Sequence, residues 1–146
     1  MNTQSSQSLQ RFVQAQEHDY ANALRELKQG RKQTHWIWYV LPQLRGLGHS
    51  ALAHEYGLAD RNEARQYFEH PLLGARLKEC VAEILKHRAL SIELILGDID
   101  ALKFRSCLTL FVQVAPEEPV FAQALAAFYG GAADARTLAL LAGSAP

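Results

Sequence analysis

Residues 71–87, PLLGARLKECVAEILKH, decide the fold. Leu73, Leu77, Val81, Ile84 and Leu85 recur at steps of three and four residues, so they form one apolar stripe on a helix. Pro71 suits the first position of such a helix, where it has no hydrogen bond to lose and its fixed φ is already helical. The pattern predicts an amphipathic helix running to about His87. Just upstream, Asp60 and Glu63 have the spacing of a capping box. Ala64, Tyr67 and Phe68 then mark an apolar face, and a short helix is predicted to end near Glu69.

The same periodicity extends in both directions. Leu9, Phe12 and Val13, then Tyr20, Leu24 and Leu27, recur at helical steps, with a break expected at His18-Asp19 and a stop at Gly30. Downstream, Asp98 is expected to cap a helix carrying Ile99, Leu102, Ser106, Leu110, Phe111 and Val114, closed by Pro116. Its TLFVQV run, residues 109–114, has some strand character, which the helical continuation outweighs. Phe121, Leu125 and Phe128 before Gly130-Gly131, and Leu138 and Leu141 after Asp134, supply two more helices. The expected fold is all-α, a single compact multihelical domain of about six to eight helices, orthogonal rather than a simple bundle. It should span residues 9–142, between polar tails at 1–8 and 143–146.

With 146 residues, 49% of them hydrophobic, the chain has enough apolar material for one core. Fifteen basic and fifteen acidic residues cancel. No overall field then draws the protein to nucleic acid or an anionic membrane, and neither partner is expected. The longest apolar runs fall short of the about twenty residues a membrane span needs. Cys80 and Cys107 are the two thiols, with no CxxC spacing and no signal-peptide pattern before them, which suits a reducing, cytoplasmic setting. The oligomeric state is not written in the sequence.

The stretch most suggestive of function is THWIWYVLPQLRGLGHS, Thr34 to Ser50. If Thr34 caps a short helix through Leu41, Trp36 and Val40 share one face while His35, Trp38 and Tyr39 spread over the others. Such a helix would be buried nearly all round, at the centre of the fold. Pro42 ends it, and Gly46 and Gly48 allow a tight turn or a close backbone approach. One reading is a core helix followed by a necessary turn. The other makes His35, Trp38 and Gln43 the lining of a pocket, since buried polar side chains need partners. The GLG turn lacks the lysine and spacing of a phosphate loop.

Taken together, RFVQAQ, ALRELKQGRKQTHWIWYVLPQLRGLGHS, EARQYFEHPLLGARL, GDIDALKFRSCLTLF and FYGGAADARTLALL resemble a family of small bacterial proteins, domain of unknown function 1810. The resemblance runs from about Leu9 to Leu141 and rests on the HW-x-W, PQ-x-x-GLG, EHPLLG and K-x-RS blocks. It implies a mainly helical single domain and names no activity. Members usually read Ser-Met where this chain has Cys107-Leu108. Some members carry the name calpastatin, which belongs to a disordered inhibitor and does not fit a chain with this apolar content.

Two further blocks bear chemistry. Lys103, Ser106 and Thr109 follow one another at three-residue steps on the helix expected after Asp98, with Arg105 at the flank. One cation, two hydroxyls and a guanidinium would hold an anion or phosphate. Alternatively Lys103 and Arg105 pair with Asp98 and Asp100, while the hydroxyls bond their own helix. His70 stands just before Pro71, where its imidazole either caps the next helix or, backed by Glu63 or Tyr67, serves as a general base.

Standard catalytic arrangements are missing from the sequence. No two of the six histidines have the helical spacing of a zinc site, so no metal or other cofactor is expected. Cys107 lies in an apolar helical run and reads as an inert core thiol. Two functions from different classes remain. The first is a pocket for an anionic, nucleotide-like small molecule, lined by His35, Trp38, Gln43, Gly46, Gly48, His70, Lys103, Arg105, Ser106 and Thr109. The second is a non-enzymatic helical interaction module, recognisable by an exposed apolar patch.

Overall fold

The computed structural model describes residues 3–143, with side chains from Ser8 onward. The expected tails lie outside the described residues at 1–2 and 144–146; the first helix begins at Thr3. Among the described residues the fold is all-α: α1 Thr3–Lys28, α2 Ile37–Val40, α3 Ala51–Tyr56, α4 Arg61–Glu69, α5 Leu73–Leu85, α6 Ile92–Leu96, α7 Asp98–Val114, α8 Pro119–Tyr129 and α9 Ala135–Gly143. Six of these span nine residues or more. The two short helices that periodicity does not reveal, α3 and α6, are each opened by a serine. Ser50 Oγ accepts the Ala53 amide at 3.1 Å and Ser91 Oγ that of Leu94 at 3.2 Å.

α7 is the central element, packed against α4, α6, α8 and α9. Phe104, Cys107, Leu108, Leu110 and Phe111 are all fully buried along it. The predicted stripe of α5 behaves as its period requires, with Leu73, Leu77, Val81 and Ile84 fully buried against α1, α4 and α8. Aromatic contacts carry the core across these layers, from Phe12 to Tyr67 at 5.0 Å, Tyr67 to Phe111 at 5.9 Å and Phe111 to Phe121 at 5.4 Å.

Several local expectations are corrected. α1 runs unbroken through His18-Asp19, because Gln16 and Tyr20, one turn apart, are both buried on its inner face. Gln16 Nε2 donates to the Tyr39 carbonyl at 2.7 Å and to the Tyr67 hydroxyl at 3.1 Å. Pro71 sits in the turn before α5, which starts at Leu73. Asp98 lies in the first turn of α7, and the capping position is Gly97, whose φ of +90° favours glycine. The Thr34-capped helix to Leu41 contracts to the single turn Ile37–Val40, and the middle of the fold belongs to α7. Thr34 serves instead as a partner of the buried Glu26 carboxylate, donating its backbone N–H at 3.0 Å and its hydroxyl at 2.6 Å.

Candidate functional site

The tryptophans of the HW-x-W block part company because α2 is so short. Trp36 is buried. Trp38 stays half-buried, and its indole borders an open cleft of about 640 Å³ between residues 32–38 and the corner from α6 into α7. His35, exposed, stands at the rim; Asp98, Asp100 and Lys103 face it from the α7 side, and Lys32 completes the charged lining.

The charges in this cleft are unequally committed. Lys32 Nζ lies 2.8 Å from Asp100, donates to the Thr34 carbonyl at 2.6 Å and sits 5.0 Å above the Trp36 ring. Lys103 Nζ is 3.9 Å from the same carboxylate and 4.9 Å above the Trp38 ring. Lys103 is therefore the looser partner of Asp100 and keeps more of its charge available, while the indole face helps hold the ammonium in place. Its side chain is 24% exposed, against 7% for Lys32.

Behind Trp38 a small hollow of about 10 Å³ is lined by Ile37, Trp38, Gln43, Tyr56 and Lys103 among others. That is room for about one water molecule. Trp38 Nε1 is buried without a hydrogen-bond partner among the described residues. Gln43 reaches this spot because its strand-like neighbours are clipped to residue 58, with Leu58 N–H donating to the Gln43 carbonyl at 3.0 Å and Arg45 N–H to the Leu58 carbonyl at 2.8 Å.

His35 and Lys103 thus border Trp38 in the open cleft, Gln43 borders it only in the small hollow behind, and the remaining candidates lie elsewhere. Arg105 turns to the α8–α9 corner, where Nε donates to the Ala132 carbonyl at 2.7 Å and Nη2 to that of Ala133 at 3.2 Å. Ser106 and Thr109 are buried and bond their own helix, to the Leu102 carbonyl at 3.3 Å and the Arg105 carbonyl at 2.8 Å. Thr109 also accepts the Asp134 amide at 2.9 Å. Each three-residue step on a helix slips by about 60°, so Thr109 points about 120° away from Lys103 and into the core. The expected groove of one cation and two hydroxyls does not form.

His70 acts as a cap: Nδ1 accepts the amides of Leu72 and Leu73 at 3.1 and 3.2 Å. Partial burial holds its pKa below the usual histidine value. The carboxylate and phenol considered as its backing are engaged elsewhere, Glu63 with Arg11 at 3.1 Å and Tyr67 with Gln16. Gly46 and Gly48 serve the turn. Gly46 has a φ of +105°, and a Cβ on Gly48 would lie 2.7 Å from that of Ala53. Both thiols are buried, which pushes Cys80 up to about 12 and Cys107 higher still. Among the described residues no group of three or more His, Cys, Asp or Glu side chains is placed to hold a metal ion.

Sequence reasoning did not find Lys32 as a cleft residue. Its only signal is its position two residues before the aromatic block. Asp100 entered as a partner for Lys103 and is one, though it binds Lys32 more closely.

An all-helical domain with a mixed-charge cleft at its tryptophan block is what fold and site define together. The chain belongs to the family described as Protein of unknown function (DUF1810), whose model matches residues 6–141. It is similar to the conserved hypothetical protein Rv1873 from Mycobacterium tuberculosis, known from a crystal structure, with 48% identity and a TM-score of 0.90. That match covers 92% of this chain and 96% of the other. No curated protein matches the chain. Among the described residues no helix is long and apolar enough to cross a membrane.

Proposed function

We propose that the cleft beside Trp38 binds a small anionic molecule with a flat ring, of which a nucleoside monophosphate is one form. The observation that carries this reading is the Lys103 ammonium, 4.9 Å above the Trp38 ring at the wall of an open cleft and only 3.9 Å-paired to Asp100. An anionic group would take Lys103 as its counter-ion, a ring would rest on the exposed indole surface, and His35 and Gln33 at the rim would supply hydrogen bonds. The charge balance limits the ligand. Two lysines face two aspartates in the lining, so a single phosphate or carboxylate fits better than a chain of phosphates. The reading is one of binding, with no catalytic residue assigned.

Thermal melts and calorimetry with inorganic phosphate, sulfate, nucleoside monophosphates and triphosphates test it. Monophosphates should raise the melting temperature in the wild type and leave a Lys103→Met variant unmoved, because a ligand that binds only the folded state stabilises it by mass action. Equal responses in both proteins would reject the cleft as the site.

A second reading, an interaction surface, is favoured by one observation. Ile99 and Leu102, one turn apart on α7, are 71% and 67% exposed, and Leu94 on α6 is 68% exposed. Sedimentation over a wide concentration range tests for self-association through this corner, with Ile99→Ser as the variant that should abolish it.

A further inference from the structure

The ridge formed by His35 and Trp38 has a second hollow on it, of about 540 Å³, which shares those two residues and no others with the cleft. Its chemistry differs. Trp38, Tyr39 and Tyr56 supply aromatic surface, with the Tyr39 and Tyr56 rings 5.1 Å apart and tilted by 58°. Asp19, from α1, supplies a carboxylate. The Tyr39 hydroxyl donates to that carboxylate, which orients the ring without cancelling the charge. Among the described residues no lysine or arginine forms an ion pair with Asp19, and none lines the hollow. Of the basic side chains nearby, Arg11, whose charge reaches Tyr56, pairs with Glu63. The Lys103 ammonium lies over the Trp38 ring from the cleft side, which leaves the Tyr39 and Tyr56 rings as the aromatic surface closest in character to a cation site.

The geometry points to a binding site for a small organic ammonium ion, of the choline or tetramethylammonium type, in this hollow. Such a cation is weakly hydrated and is attracted both by the negative faces of aromatic rings and by a carboxylate left without a counter-ion. The competing occupants fit less well. A hard metal ion wants about six oxygen ligands, and the hollow offers one carboxylate. An anion meets Asp19 with no lysine or arginine in the lining to offset it, the basic groups there being the imidazoles of His18 and His35, and a neutral apolar ligand leaves that carboxylate unused. The hollow is also within the usual volume range of small-ligand sites. This inference does not depend on the anion reading of the neighbouring cleft, since it rests on Asp19, Tyr39 and Tyr56, none of which lines that cleft.

Nuclear magnetic resonance on the full chain, labelled with nitrogen-15, tests the site through the Trp38 indole N–H, assigned with a Trp38→Phe variant. Choline chloride, titrated against equal sodium chloride, should shift that signal saturably, and the uncharged isostere 3,3-dimethylbutan-1-ol should bind about tenfold more weakly or worse. Asp19→Asn keeps an acceptor for the Tyr39 hydroxyl and should cost about tenfold in choline affinity at an unchanged melting temperature. Tyr56→Phe, which keeps the ring, should bind like the wild type, and Tyr56→Leu should lose about fivefold. The phosphate response of Asp19→Asn should match that of the wild type, so either site can fail alone. An isostere that binds as well as choline, an effect reproduced by sodium chloride, or full affinity in both Asp19→Asn and Tyr56→Leu would overturn the proposal.

Discussion

Glu26 accepts the indole N–H of Trp36 at 3.0 Å, joining the last turns of α1 to the start of the tryptophan block. The carboxylate is 2% exposed. It also takes the amides of Gln33 and Thr34 at 2.7 and 3.0 Å, the Thr34 hydroxyl at 2.6 Å and the Asn22 side-chain amide at 2.8 Å. Burial on its own would raise the pKa, yet these donors outweigh it and bring Glu26 down to about 2. Five hydrogen bonds to one ion set the path of residues 33–36, and so decide that Trp36 is swallowed while Trp38 is left at the cleft.

A pH dependence follows from that carboxylate. Its folded pKa of about 2 is below the ordinary 4.5, so its contribution is fully present above about pH 4.5 and is lost as pH falls toward 2. Glu26→Gln should destabilise by about 2 kcal/mol at neutral pH, through the loss of charge-assisted hydrogen bonds. Trp36→Phe should cost about 1 to 2 kcal/mol for the lost indole bond, and Trp36→Ala about 3 to 5 kcal/mol for burial and cavity together. Urea denaturation should show the gap between wild type and Glu26→Gln narrowing from pH 7 to about pH 3. A gap independent of pH would remove the ionised carboxylate from the account.

Gly74 offers a steric test. Alanine is worth about 1 kcal/mol more than glycine inside a helix, so propensity alone favours Gly74→Ala. The structure reverses the sign. A Cβ there would lie 1.9 Å from the Phe68 carbonyl oxygen and 2.9 Å from its carbon, which is backbone that cannot swing aside. Separating the end of α4 from the start of α5 should cost about 3 kcal/mol or more. Denaturation midpoints check this, with Gly143→Ala, where a Cβ meets nothing within 4 Å, as the neutral control.

His70 supplies a second pH dependence at a higher range. Its Nδ1 must be unprotonated to accept the Leu72 and Leu73 amides, and burial already depresses its pKa below 6.5. The cap therefore contributes fully above about pH 6.5 and is lost as acid protonates the ring. His70→Ala should lower stability by about 1 kcal/mol at pH 8. Melting curves should show the difference shrinking toward pH 5, and a difference that grows in acid would contradict the cap.

Features set by local physics were legible in the sequence. The α5 stripe appears because one-sided burial imposes its period on the apolar residues, and Asp60, Gly130 and Asp134 announce helix ends through bonds within a turn. α3 and α6, of six and five residues, are too short to show a period. Glu26 sits among helical residues and looks like a surface charge, because its donors come from the loop beyond Gly30. At the candidate site, Trp38 and Lys103 were recognisable as separate blocks, and they do meet. Ser106 and Thr109 did not join them, because α7 is open over its first turns and enclosed from Ser106 to Phe111, where the hydroxyls turn into the core and bond their own helix.

Lys103 and Arg105 are two residues apart and should behave in opposite ways. Lys103 makes one distant ion pair and a contact with an indole face, so Lys103→Ala should change stability by less than about 1 kcal/mol. Arg105 binds the carbonyls of Ala132 and Ala133 where the chain turns into α9. Arg105→Ala should therefore cost about 1 to 3 kcal/mol, since hydrogen bonds from a charged donor are among the stronger ones. Any stabilisation by monophosphates should disappear with Lys103 and survive loss of Arg105, once each variant is compared with its own ligand-free melt. Urea denaturation reads the first difference and phosphate-dependent melting the second. If Arg105→Ala melted like the wild type while losing the anion response, the anion would have to bind at the α8–α9 corner and the cleft would lose its ligand.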